Sequence, residues 1–137
     1  MTNQINFTFQ DSDWVPPTSY PDLRNAKEIS IDLETKDPDI KTKGPGWPTQ
    51  NGNIIGIAVA TDTFKGYYPV AHEAGGNMDM MMTLKWIQDI CRSDAVKVFH
   101  NAVYDIGWLR SMGVVVYGKV ADTMIAAALI DENRRAY

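Results

Sequence analysis

Two short acidic strings carry the chemistry that this sequence offers: Ile31-Asp32-Leu33-Glu34-Thr35, and His100-Asn101-Ala102-Val103-Tyr104-Asp105. Each places a carboxylate at or just beyond the end of an apolar run that reads as a buried strand. Asp32 and Glu34 are two residues apart, so on a strand they point to the same side while Ile31 and Leu33 face the other. Asp105 sits four residues after Asn101, on a helix that follows a strand ending near Phe99 and His100, with Asn101 on the same face or at the helix cap. If that strand neighbours the first, Asp105 faces Asp32 and Glu34 across a gap. Three ionised acids in a partly buried site favour a bound hard cation, Mg²⁺ or Mn²⁺. Two such ions roughly 3.5–4 Å apart suit phosphodiester hydrolysis, activating a water and stabilising the leaving oxygen.

The elements that must position these acids follow from pattern. Ile29, Ile31 and Leu33 alternate with polar residues, the period of a half-buried strand. Asn53 to Thr61 reads as a second strand behind the turn Asn51-Gly52, and Gly66 to Val70 as a third, giving an antiparallel meander. Between the first two lies a loop rich in breakers, Asp37-Pro38 and Lys43-Gly44-Pro45-Gly46-Trp47-Pro48. Asp79 to Ile90 has helical spacing, with Met80, Leu84, Ile87 and Cys91 near one face. Met78, Met80, Met81 and Met82 read as helix and core material. Ala95 to Phe99 is a fourth strand, Val103 to Met112 a helix closed by Gly113, Val114 to Tyr117 a fifth strand, and Val120 to Ile130 a further helix. The order β-β-β-α-β-α-β-α implies an α/β domain, a mixed five-stranded sheet with helices on its faces, and matches the ribonuclease H-like fold.

Bulk properties narrow the function. The 137 residues suggest one domain, 45% hydrophobic and 22% charged. No stretch approaches the roughly 20 apolar residues of a membrane span, and Met1 to Gln10 lack the order of a signal peptide. One cysteine, Cys91, permits no internal disulfide, and a reducing, cytoplasmic setting fits. Its place in the apolar helical pattern marks it as core. The net charge of −4 argues against broad gripping of duplex DNA but is compatible with a site for a few single-stranded nucleotides. Residues 1–26, with Trp14-Val15-Pro16-Pro17 and Tyr20-Pro21, read as an extended arm, in which Ile5, Phe7 and Phe9 alternate as an edge strand would. Residues 27–137 read as the domain.

Taken together, the strings resemble a known family. IDLET is similar to the first motif, and FHNAVYDIGWL to the second, of the 3′–5′ exonuclease (proofreading) domain of family A DNA polymerases, within the superfamily that uses four acids (Asp, Glu, Asp, Asp). ADTMIAAALIDE resembles the stretch that follows the second motif, and DPDIKTKGPGW with GYYPVAHEAGGN looks most like bacteriophage polymerases. The resemblance covers about residues 27 to 131. It implies that Asp32, Glu34 and Asp105 are catalytic metal ligands for two Mg²⁺ or Mn²⁺ ions. It implies also that the Thr35 backbone lies near the terminal 3′-hydroxyl, that Tyr104 packs on the terminal nucleotide, and that Asn101 orients substrate or supports the site. The implied partners are a single-stranded or frayed 3′ end of DNA and a polymerase domain C-terminal to this chain, with no membrane. The setting is the bacterial host cytoplasm if the chain is phage-encoded.

The family pattern needs a fourth aspartate with Tyr or His four residues before it. Asp122 follows Asp105 too closely and has Gly118 at that position; Asp131 has Ala127. The expectation is therefore the N-terminal part of a longer polymerase, cut before the third motif, weak or inactive by itself. Two alternatives stay open: a non-enzymatic module of this fold that binds single strands or braces a polymerase, and a stand-alone ribonuclease. His100 reads as a structural neighbour of the site, His72 has no assigned role, and Lys36, Lys41 and Lys43 read as a solvated loop.

Overall fold

The computed structural model describes residues 13–133. A single sheet has the order β3-β2-β1-β4-β5, built from β1 (Glu28–Lys36), β2 (Asn53–Ala60), β3 (Lys65–Pro69), β4 (Val96–Phe99) and β5 (Val120–Asp122). β1, β2 and β3 pair antiparallel. β4 runs parallel to both β1 and β5. The helices are α1 (Ile40–Lys43), α2 (Met80–Arg92), α3 (Ala102–Ser111) and α4 (Thr123–Ile130), with a 3₁₀ turn at Trp47–Thr49. The mixed five-stranded sheet of ribonuclease H-like type is thus as the element order implied. The meander is also as expected, and β4 lies beside β1, the condition under which Asp105 was to meet the β1 acids.

Alternation in β1 decides the layering. Ile29, Ile31 and Leu33 are buried, whereas Ser30, Asp32 and Glu34 are exposed. The apolar set joins Ile54, Ile57, Val59 and Tyr68 from the neighbouring strands in one core, closed by α2 and α3. α2 contributes Thr83, Leu84, Trp86, Ile87, Ile90 and Cys91, a stripe at helical spacing. Its N-cap is Asp79, whose side chain accepts from the Met82 N–H at 2.8 Å. Burial pushes the Cys91 thiol up to about 12, against the opposing charge of Lys97, so it is an inert core group.

The arm between residues 13 and 26 lies against this core. Tyr68 donates to the Ser19 carbonyl at 3.0 Å and the Trp86 indole to the Pro21 carbonyl at 2.7 Å. Tyr20 stacks on Tyr68 with ring centroids 5.4 Å apart. The alternating Ile5, Phe7 and Phe9 lie outside the described residues.

Three expectations are corrected. Val114 to Tyr117 is not a strand. Its backbone bonds to helical partners instead: Val115 exchanges two hydrogen bonds with the Gln88 side chain at 3.0 and 3.1 Å, and the Tyr117 N–H donates to the Cys91 carbonyl at 3.0 Å. The fifth strand is Val120–Asp122, so the last helix begins at Thr123 rather than at Val120. The breaker-rich loop also contains structure, since α1 and the 3₁₀ turn fold within it. Among the described residues no helix is long and apolar enough to cross a membrane.

Candidate active site

The register of the parallel pair sets the site. Ser30 lies opposite Val98. Asp32, two residues further along β1, is therefore level with the turn that leads from β4 into α3. On the other side Asp32 pairs with Ala58 and Glu34 with Gly56, after which the register shifts. Such an irregularity at a strand end re-aims the side chains beyond it.

Asp105 enters from the first turn of α3 and is 3% exposed. Its Oδ2 is buried and has no hydrogen-bond partner. Burial raises its carboxyl to about 7, and the negative charges of Asp32 and Asp122 add to the effect. Asp32 and Asp105 are thus close enough to repel. Glu34 lies on the same exposed side of β1 as Asp32. Its charge acts on Tyr67, whose hydroxyl is held above the ordinary tyrosine value by burial first and by Glu34 second. Among the described residues no group of three His, Cys, Asp or Glu side chains is gathered tightly enough to hold a metal ion.

Thr35 and Tyr104 meet directly, with hydroxyls 2.8 Å apart. Tyr104 donates to Asp37 Oδ2 at 3.0 Å, so its oxygen is left to accept from Thr35. Asp37 Oδ2 also accepts from the Gly46 N–H at 3.0 Å. The end of β1, the loop and α3 are stitched together at this point. Trp47 completes the join by packing on α3 at Gly107, where an added Cβ would come within 2.4 Å of the indole. The loop therefore presses on the helix that carries Asp105.

Asn101 occupies the N-cap of α3 in a left-handed conformation, φ 70° and ψ 61°, and its side chain caps nothing. The capping group comes from elsewhere. Asp122, at the end of β5, accepts from the Asn101 N–H at 3.0 Å and from the Ala102 N–H at 2.8 Å. His100 bonds Thr123 Oγ1 at 2.9 Å, in keeping with its reading as a structural neighbour. His72, given no role from sequence, bonds the Tyr67 hydroxyl through Nε2. Lys36 pairs with Glu73 and Lys43 with Asp39, all on the surface.

Sequence reasoning missed Asp37, Trp47, Tyr67 and Asp122. Only Asp122 carried a local signal, an Asp ahead of an apolar helical run, which marks an N-cap.

The mixed sheet with carboxylates at the carboxyl end of β1 and the start of α3 defines an α/β domain of ribonuclease H-like type with an acidic centre. Residues 19–136 match the 3′–5′ exonuclease family of family A DNA polymerases, and the chain belongs to that family. Over 142 residues it is 36% identical to a DNA-directed DNA polymerase of Pseudomonas phage M6, covering 96% of this chain and 21% of that one. It is 30% identical to DNA polymerase DpoZ of Salmonella phage PMBT28, covering 86% of this chain and 17% of the relative. Against DNA polymerase I of Borreliella burgdorferi it is also 30% identical, covering 82% and 12%. The chain thus spans about a fifth or less of the length of these relatives. In fold it is similar to the POL domain of Pol1 from M. smegmatis, solved with a DNA primer-template and dNTP. The TM-score is 0.57 at 13% identity, over 83% of this chain and 18% of the other.

Proposed function

We propose that this chain is a proofreading module that hydrolyses the 3′-terminal phosphodiester of DNA, with a polymerase domain C-terminal to it. The observation that carries this reading is the buried Asp105 carboxyl, which feels the charge of Asp32 and has one oxygen without a protein partner. A buried carboxylate beside a like charge is costly unless a cation neutralises the pair. An all-carboxylate donor set fits a hard divalent ion. Asp32 and Asp105 would hold it, with Glu34 beside them on β1. When bound, Mg²⁺ or Mn²⁺ supplies Lewis-acid stabilisation of charge developing on the phosphate and the leaving oxygen.

The chain's own residues would do the positioning. Tyr104 would pack on the terminal nucleotide. Its hydroxyl is fixed by Thr35 and Asp37, so its ring reaches the substrate already oriented. The Thr35 backbone would lie at the terminal 3′-hydroxyl, and Asn101 would touch substrate at the mouth of the site. A groove of about 400 Å³ is lined by Asp32 together with Ser30, Ala58, Lys65 and Tyr67. These three acids would serve one ion at most, and only once brought closer together than they stand in this fold. The fourth acid of the family pattern, with its Tyr or His partner, has no match in these 137 residues, so this chain by itself would be weakly active.

The reading is tested with end-labelled oligonucleotides and Mg²⁺, on this chain and on a version extended through a third motif. Removal of unpaired 3′ nucleotides by the extended protein, abolished by Asp32→Ala, is expected. Loss of 5′ nucleotides first, or full activity with Asp32→Ala, would overturn it. Mn²⁺ binding without hydrolysis in the extended protein would favour a non-enzymatic module that binds single strands.

A further inference from the structure

We infer that Asp122 is a positioning residue that sets the direction of Asp105 by clamping the turn into α3 to the turn into α4. The inference rests on the metal-site reading above for its consequence, but its geometry stands on its own. The two turns are neighbours because β4 and β5 run parallel, with Phe99 opposite Asp122. Each strand ends there, and each is followed at once by a helix.

One carboxylate serves both helices. Asp122 Oδ1 accepts from the Asn101 N–H at 3.0 Å and from the Met124 N–H at 2.9 Å, and Oδ2 accepts from the Ala102 N–H at 2.8 Å. Thr123 adds a second tie, its hydroxyl donating to the Phe99 carbonyl at 3.1 Å and meeting His100 Nδ1. Burial, which would raise the Asp122 carboxyl, is outweighed by the backbone N–H groups of Ala102, Asn101 and Met124, and it is held below its ordinary value. Three donors from the two turns thus converge on this one carboxylate, and it is committed to the backbone on both sides.

The clamp matters because the turn it holds is strained. Asn101 is not glycine, yet it takes φ 70°. Asn tolerates left-handed backbone better than other side-chain-bearing residues, but the conformation still costs energy that its surroundings must supply. The Asn101 and Ala102 N–H groups are among the donors that a helix start leaves without partners, and α3 has no cap of its own. Without Asp122 the turn can relax toward right-handed backbone, which rotates the first turn of α3. Asp105 lies in that turn, so relaxation swings it away from Asp32. Nothing about Asp122 requires contact with substrate.

The test compares Asp122→Asn and Asp122→Ser in the full 137-residue chain, with Asp105→Asn as control. Both substitutions remove the same charge. Asn keeps one acceptor oxygen between the two turns, whereas Ser reaches only the cap of α4. A difference between the two variants therefore reports geometry rather than charge. The readouts are amide hydrogen exchange and Mn²⁺ affinity from the paramagnetic resonance of free Mn²⁺. Asp122→Ser is expected to remain folded, to exchange the Asn101 and Ala102 amides faster, and to bind Mn²⁺ about tenfold more weakly or worse, with Asp122→Asn in between.

Unchanged exchange from Asn101 to Asp105 in Asp122→Ser would overturn the inference. So would Mn²⁺ affinity equal to wild type while Asp105→Asn loses it. If wild type binds no Mn²⁺, the metal reading fails, and the exchange comparison alone decides the clamp.

Discussion

The two helices that start at neighbouring strand ends are held in opposite ways. α3 is gripped along its length. Asp105, Trp108 and Leu109 are buried, Trp47 lies against Gly107, and Tyr104 is bonded to both Thr35 and Asp37. α4 buries none of its residues, with Leu129 83% and Ile130 87% exposed. Hydrogen bonds tie its start to the end of β4 and the turn into α3, through Asp122 and Thr123. Packing thus fixes the helix that carries an acid, while the helix that follows is tied by polar groups at its start and buries no side chain fully. The rigid side is where positional precision would matter for chemistry.

The comparison can be broken most strongly through pH. The fold raises Asp105 from its ordinary 3.8 to about 7, so it favours the protonated form. This contribution is fully present below the unfolded value and is lost as pH rises through the folded one. In chelator, wild type should gain stability relative to Asp105→Asn as pH falls from 8 to 5. The range from 3.8 to about 7 bounds the effect at about 4 kcal/mol. Urea unfolding of both proteins at several pH values measures it, and parallel profiles would refute it. Mn²⁺ at pH 8 should recover part of the difference.

Gly107→Val attacks the grip by packing. Its Cβ would come within 2.4 Å of the Trp47 indole. The expected loss is about 3 kcal/mol, read as a lower urea midpoint. Recovery in the double variant Gly107→Val, Trp47→Ala would assign the loss to that contact.

Tyr104→Phe removes one hydroxyl from between Thr35 and Asp37. The cost should be about 1–2 kcal/mol, since a partly buried Asp37 oxygen loses a donor. A melting curve identical to wild type would mean that the α3 grip is apolar only.

Leu129→Gln on α4 should change stability by less than about 0.5 kcal/mol, because the side chain is already in water. A loss above about 1 kcal/mol would show that α4 is packed more firmly than its exposure indicates.

What was legible in the sequence follows the same division. Ile29, Ile31 and Leu33 had to face the core, and that alternation alone put Asp32 and Glu34 on the other side of the sheet. The spacing of Leu84, Ile87 and Cys91 marked α2. Val114 to Tyr117 misled because β-branched residues favour strands, yet these residues join none. Their hydrogen bonds go to Gln88 and Cys91 rather than to a strand, a choice made by side chains distant in sequence. Val120–Asp122 is a strand of only three residues, too short to show a period. The stitch among Thr35, Asp37 and Tyr104 joins residues 67 or more positions apart, and no local pattern encodes it. Two of those residues were singled out, but through resemblance rather than through any sign that they meet. The approach of Asp105 to Asp32 depended on β4 lying beside β1, which the sequence left as a condition and the sheet order supplies.

The loop at Gly75 and Gly76 gives the molecule a place where the chain can be opened. Both residues have positive φ, 85° and 70°, and an added Cβ at either would meet nothing within 4 Å. The turn is held at its base, where Asn77 exchanges two hydrogen bonds with the His72 backbone. A fluorophore tag, a protease site or a pair of new termini introduced between Gly75 and Gly76 would leave that base and the acids untouched. The same insertion at Gly46, whose N–H holds Asp37, would unlatch the loop from α3. Two surface loops of similar glycine content are therefore unequal as engineering sites: one is a handle and the other is a hinge pin.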